Sequence, residues 1–120
     1  MLSLKENLHI FNQDIKHPTI GNNGWSLDVY SPISFELRPG CHIKIDSGFG
    51  LKLPQGMVGL FTPKESSPYH FSVSPGQIIH PEFSSELTLN LTYHGRNNEI
   101  VRKGDPLCQI LLLSAFRFVE

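Results

Sequence analysis

The side chains in this sequence able to do chemistry are few and lie far apart along the chain. As a histidine, His80 has the chemical character of a general base. Standing directly before Pro81, it equally suits a bend. Asp28 is a carboxylate able to hold a magnesium ion through water, or to fix a loop by accepting backbone N–H bonds. Lys64 and Ser66, in the run Pro63-Lys64-Glu65-Ser66, are a cation and a hydroxyl of the kind that meet phosphate. An exposed loop would carry the same residues with no ligand. Phe83 can stack on a planar base or close the core beneath the bend. Gln109 interrupts an apolar run, so its amide needs partners from the protein or from a ligand.

Metal chemistry finds little support. His80-Pro81-Glu82 has the His-x-Glu spacing of zinc deaminases, but their downstream Pro-Cys-x-x-Cys is missing. Cys41-His42 has no second ligand pair and reads as strand. No protein metal site is expected, and no cofactor beyond the magnesium ion that would accompany a bound nucleotide. Cys41 and Cys108 are the only cysteines. Without an export signal they read as two buried thiols rather than a disulfide.

These residues must be positioned by strands. Leu87, Leu89, Leu91 and Tyr93 alternate with Thr88, Asn90 and Thr92, the period-two pattern of a half-buried strand. The apolar run before them ends at His80-Pro81, which a central strand could not continue past. The stretch 77–95 therefore reads as strand, tight polar bend and long strand. Further short strands are expected at residues 8–11, 26–30, 33–38, 42–46, 49–53 and 57–62, and another starts at Phe71 and Val73. A buried strand is expected at 107–113, and Phe116 and Phe118 suggest a last strand tucked onto the sheet. Pro39-Gly40, Pro54-Gln55-Gly56, Pro75-Gly76 and Lys103-Gly104-Asp105-Pro106 mark turns. No helical periodicity is sustained, although a single turn fits near residues 2–8 or 65–69. Short strands punctuated by Pro and Gly predict an all-β sandwich, jelly roll or barrel.

A chain of 120 residues forms one domain, 1–120, with a real core. The net charge of −1 comes without a basic block, so a nucleic-acid surface is not expected. No apolar run approaches the roughly 20 residues that span a bilayer. The N-terminus lacks the apolar core of a signal peptide, so secretion is not expected.

Five pieces, in order, resemble the trimeric dUTPase family: Ser26-Leu27-Asp28-Val29; Pro54-Gln55-Gly56 with Gly59-Leu60-Phe61; Pro63-Lys64-Glu65-Ser66; His80 through Leu87; and Gly104-Asp105-Pro106-Leu107-Cys108-Gln109-Ile110. The resemblance covers residues 24–113. It implies a distorted jelly roll, a homotrimer, and a site that splits dUTP into dUMP and pyrophosphate. It also implies roles. Asp28, Lys64, Ser66, Phe83 and Gln109 correspond to nucleotide-binding positions, and His80 stands where the family has its Asp base. The departures gather there: Phe83 replaces a Tyr, Glu65 a Ser, and Gln77 and Ser85 glycines. The family's Gly-rich fifth motif has no counterpart before Glu120.

Ser31-Pro32-Ile33-Ser34-Phe35, residues 81–91 and His94-Gly95 further resemble the adenovirus proteins of the first open reading frame of early region four. That resemblance implies a non-enzymatic early protein with no catalytic residue, binding host proteins in the cytoplasm or nucleus. dUTP diphosphatase activity, and nucleotide binding without hydrolysis, are the alternatives. Some of those proteins end in a PDZ ligand. Here the terminus Phe118-Val119-Glu120 puts a charge where an apolar pocket waits, so no C-terminal PDZ ligand is expected.

Overall fold

The computed structural model describes residues 2–74, 77–116 and 118–120. The expected Pro75-Gly76 break lies outside the described residues, as does Arg117. In chain order the first strands are β1 (Leu8–Ile10), β2 (Thr19–Ile20), β3 (Ser26–Tyr30), β4 (Phe35–Leu37), β5 (His42–Asp46) and β6 (Phe49–Leu51). They are followed by β7 (Met57–Pro63), β8 (Phe71–Val73), β9 (Ile78–Ile79), β10 (Thr88–Tyr93), β11 (Glu99–Val101) and β12 (Pro106–Ser114). A single helical turn, α1 (Leu4–Asn7), precedes them and is capped by Ser3, whose Oγ accepts from Glu6 N–H at 3.4 Å.

The strands form a five-stranded sheet in the order β2-β3-β12-β7-β9 and a three-stranded sheet β5-β10-β8. Two ribbons, β1-β6 and β4-β11, complete the fold, and the pairings are antiparallel. The chain is therefore all-β, as expected. The alternation in β10 works as read: Leu89, Leu91 and Tyr93 are buried, while Thr88, Asn90 and Thr92 are half-buried on the other face. They pack with Leu27 and Val29 of β3, Phe61 of β7, and Cys108 and Ile110 of β12 in one core. At the Pro39-Gly40 turn, Cys41 N–H donates to Arg38 carbonyl at 3.0 Å and Gly40 takes φ +79°, which favours glycine.

The structure corrects three expectations. Strand β4 is shorter than residues 33–38, and Ile33 is 46% exposed. Buried Ser31 donates its hydroxyl to the Ile33 carbonyl at 2.6 Å, which bends the chain where the alternation predicted a strand. Phe116 and Phe118 are fully exposed and lie outside the strands of the described residues, contrary to a last strand tucked onto the sheet. Their spacing matched a strand, but β12 leaves the sheet at Ser114 and gives them no partner. Cys108 is buried as expected, whereas Cys41 is only half-buried; both are free thiols.

Candidate functional site

Strand pairing brings together three of the residues singled out in the sequence. Gln109 on β12 lies directly opposite Asp28 on β3 and Thr62 on β7. Directly opposed residues of antiparallel strands point to the same face, so Asp28, Gln109 and Thr62 share the face turned away from the core. Lys64, just past β7, closes the group: its Nζ donates to Asp28 Oδ1 at 2.8 Å. The two side chains retain only 22% and 16% of their exposure. Gln109 Nε2 reaches the Pro63 carbonyl at 3.4 Å, a long bond. Thr62 Oγ1 is buried with no partner among the described residues. Sequence spacing could not have singled out Thr62, because its place beside Gln109 is fixed only by the β7–β12 register.

The bend places His80 and Phe83. Phe83 N–H donates to the His80 carbonyl at 3.0 Å with Pro81 between them, so His80 opens a turn whose φ Pro81 pre-sets. The His80 side chain is exposed. Phe83, 39% exposed, stands on the rim of a cleft of about 390 Å³. Buried Phe61, Ile79 and Leu87 also line it, together with Gln77, Thr88 and Asn90. Glu86, the motif's second acid, is committed to the fold: its Oε2 accepts from Gly48 N–H at 2.7 Å. That bond ties the bend to the turn before β6 and leaves Glu86 poorly suited as a base.

Ser66 and Glu65 are exposed in the loop after β7, and neither joins the Asp28–Lys64 pair. Its neighbour Ser67 anchors that loop, donating to the Pro106 carbonyl at 2.8 Å. Burial pushes the Cys108 thiol up to about 12, which makes it a poor nucleophile. His42 reaches Thr92 Oγ1 at 3.2 Å. Among the described residues no group of three or more His, Cys, Asp or Glu is placed to hold a metal ion.

The all-β chain thus gathers an acid, an amide and a cation on one sheet face and sets an aromatic-rimmed cleft beside a Pro-led bend. The dUTPase family model matches residues 14–119, and the chain belongs to the dUTPase family. It is 27% identical over 117 residues to the deoxyuridine 5'-triphosphate nucleotidohydrolase of Dictyoglomus turgidum, covering 90% of this chain and 79% of that one. It is likewise 27% identical over 99 residues to the nucleotidohydrolase of that name from Syntrophotalea carbinolica, covering 78% and 67% of the two chains. The fold is similar to that of a mutant dUTPase from phage phi11 of S. aureus, with a TM-score of 0.81 at 16% identity over 94% of this chain and 92% of that one.

Proposed function

We propose that this chain binds dUTP and releases pyrophosphate from it slowly. The observation that carries this reading is the convergence of Asp28 and Gln109 on neighbouring strands with Lys64 just past the end of β7, three residues far apart in sequence. Lys64 supplies the cation for the phosphates, Phe83 a ring face for the base, and Asp28 a carboxylate for the water shell of a magnesium ion that arrives with the nucleotide. Water attacks the α-phosphorus, the bond from that phosphorus to the bridging oxygen breaks, and pyrophosphate leaves. His80 stands where the family resemblance places an Asp base. Its imidazole accepts a proton without the anionic charge, and exposed Glu65 sets a like charge toward the phosphates.

The test is pyrophosphate release from each of dUTP, dCTP, dTTP and dATP with magnesium. The expected result is saturable turnover for dUTP alone, about 10²–10⁴ below a curated relative in the same assay, the span that one misplaced base accounts for. Absence of both dUTP binding and turnover would sink the reading. His80→Asp alone is expected to recover little, because Glu65 remains.

A second reading is a non-enzymatic viral early protein that binds host proteins. The observation in its favour is an apolar groove of about 290 Å³ beside the exposed rings and chains of Trp25 and Ile20, lined also by Leu4, Leu53 and Met57. Tryptophan is one of the side chains enriched at the energetic centres of protein interfaces. Loss of host-protein pull-down on Trp25→Ala, in a protein without dUTP turnover, favours this reading. The homotrimer belongs to both readings. No helix among the described residues is long and apolar enough to cross a membrane.

A further inference from the structure

The sheet face that carries Asp28 and Lys64 has no surplus of positive charge. The two ions cancel, and exposed Glu65, next in the chain after Lys64, adds an acid. A phosphate chain is a polyanion, and strong charge-assisted bonds to it need cations that no carboxylate already neutralises. Lys64 alone does not meet that need while it holds Asp28 at 2.8 Å.

A second cation stands on the same face. Tyr30 follows Asp28 by two residues in β3, and both alternate with buried Leu27 and Val29, so their side chains share the face turned from the core. Lys16 Nζ lies 4.0 Å from the centroid of the Tyr30 ring, a cation–π contact. The Tyr30 hydroxyl shares a hydrogen bond of 2.7 Å with Thr19 Oγ1, and Thr19 lies directly opposite Asp28 across the β2–β3 pairing. That bond fixes the ring on which Lys16 rests. Buried Ile15 and Pro18 bracket Lys16 and His17 and anchor the backbone. Lys16 itself is exposed, and no ion pair ties it among the described residues.

We infer that Lys16 is a second phosphate-binding cation of this site, meeting the outer phosphates of a nucleoside triphosphate. The inference rests on the dUTP reading above and adds a binding residue to it. Lys64 reaches Asp28 from the β7 side, and Lys16 stands beyond Asp28 toward the β2 edge of the sheet. A polyphosphate laid across Asp28 therefore has a cation at each end. Two residues of strand separate Tyr30 from Asp28 by about 7 Å. That lies within the Debye length of about 8 Å at physiological salt, so the Lys16 charge is felt at Asp28. The ring holds the ammonium without neutralising it, so Lys16 can turn to a phosphate with no ion pair to break. A monophosphate held at Lys64 ends short of Lys16.

The test is isothermal titration calorimetry with α,β-imido-dUTP and with dUMP, on the unmodified protein, Lys16→Met, Lys16→Arg and, as a control for net charge, Lys52→Met. Lys16→Met is expected to weaken binding of the triphosphate analogue by at least about tenfold, the loss that follows when a charge-assisted hydrogen bond is removed. Its affinity for dUMP is expected to change by less than about twofold, and that arm reports whether the variant keeps its fold. Lys16→Arg keeps the charge and is expected to stay within about threefold of the unmodified protein for both ligands. Undiminished binding of the analogue by Lys16→Met would overturn the inference. So would an equal loss for dUMP, or an equal loss of the analogue in Lys52→Met. In each of these cases the dUTP reading would stand. Absence of binding of either nucleotide by the unmodified protein would remove the dUTP reading, and the inference with it.

Discussion

At the scale of single residues, the Asp28–Lys64 pair decides how the site behaves without ligand. The ions meet at 2.8 Å with side chains only 16% and 22% exposed, so salt screens them less than an open surface pair. Removing one partner leaves the other partly desolvated and unpaired. Asp28→Asn and Lys64→Met are each expected to lower stability by about 1–3 kcal/mol in urea denaturation, and the double variant by less than their sum. Additive losses would show that the ions do not depend on each other. Some of this site was legible in the sequence. His80 before Pro81 announced a bend, and Gln109 in an apolar strand announced an amide in need of partners. The pairing of Lys64 with Asp28 was not legible, because only strand register sets which polar residues face one another across 36 residues of chain. Gln77 was visible only as a residue in place of a glycine. Its amide contact with the Thr88 carbonyl, at 3.4 Å, is set by tertiary packing.

At the scale of elements, the turn between β11 and β12 is held by one tyrosine and one aspartate. Asp105 N–H donates to the Arg102 carbonyl at 3.0 Å, with Gly104 at φ +91° completing a turn that Lys103-Gly104-Asp105 had predicted. Tyr69 donates its hydroxyl proton to Asp105 Oδ2 at 2.6 Å, and Arg102 N–H donates to the same oxygen at 2.9 Å. The Tyr69 hydrogen bond first, then the backbone N–H, hold the Asp105 carboxyl below its ordinary value. Burial, then the Asp105 hydrogen bond, push Tyr69 up to about 12. The lowered acid stabilises the fold above the ordinary carboxylate value of about 3.9 and loses that contribution as pH falls through its native value. The raised phenol stabilises the fold below about pH 10 and loses that contribution as pH rises toward 12. Tyr69→Phe is therefore expected to lose about 1–3 kcal/mol at neutral pH and to flatten the stability profile at both ends. A profile that keeps its full slope below pH 4 would show that Tyr69 does not set the Asp105 titration. Most strands were readable from alternation and Pro-Gly punctuation, with β3 and β5 at the bounds expected. Alternation failed at Ile33, where a buried serine bends the chain, and at Phe116 and Phe118, which lie beyond the end of β12 and are exposed.

At the scale of the whole molecule, the five-stranded sheet presents an unusual outer face. Leu111 lies opposite Leu60, Leu113 opposite Val58, and Leu60 opposite Ile78, so these side chains form one patch on the side away from the core. Leu113 and Ile78 are 41% and 46% exposed. The same face runs without a break into Thr62, Gln109 and Asp28, so a second copy seated on the apolar part would border the polar cluster. Scattered exposed apolar residues need no explanation, but a contiguous patch beside a polar rim marks a contact surface. The sequence could suggest this only through the apolar run of β12, because a core strand and an interface strand read alike until their two faces are separated. A closed ring built on this patch would be expected to sediment as a trimer at micromolar concentration. Leu111→Glu sets a carboxylate in the centre of the patch, where burial against a partner would leave it unpaired. The variant is expected to sediment as a monomer while the inner face of β12, with Cys108 and Ile110, stays packed and the circular dichroism is unchanged. The pyrophosphate release proposed above should fall with the trimer, since Gln109 and Asp28 lie on the same surface. A variant that remains trimeric would move the contact to another face, and an unmodified protein that sediments as a single chain would remove the trimer altogether.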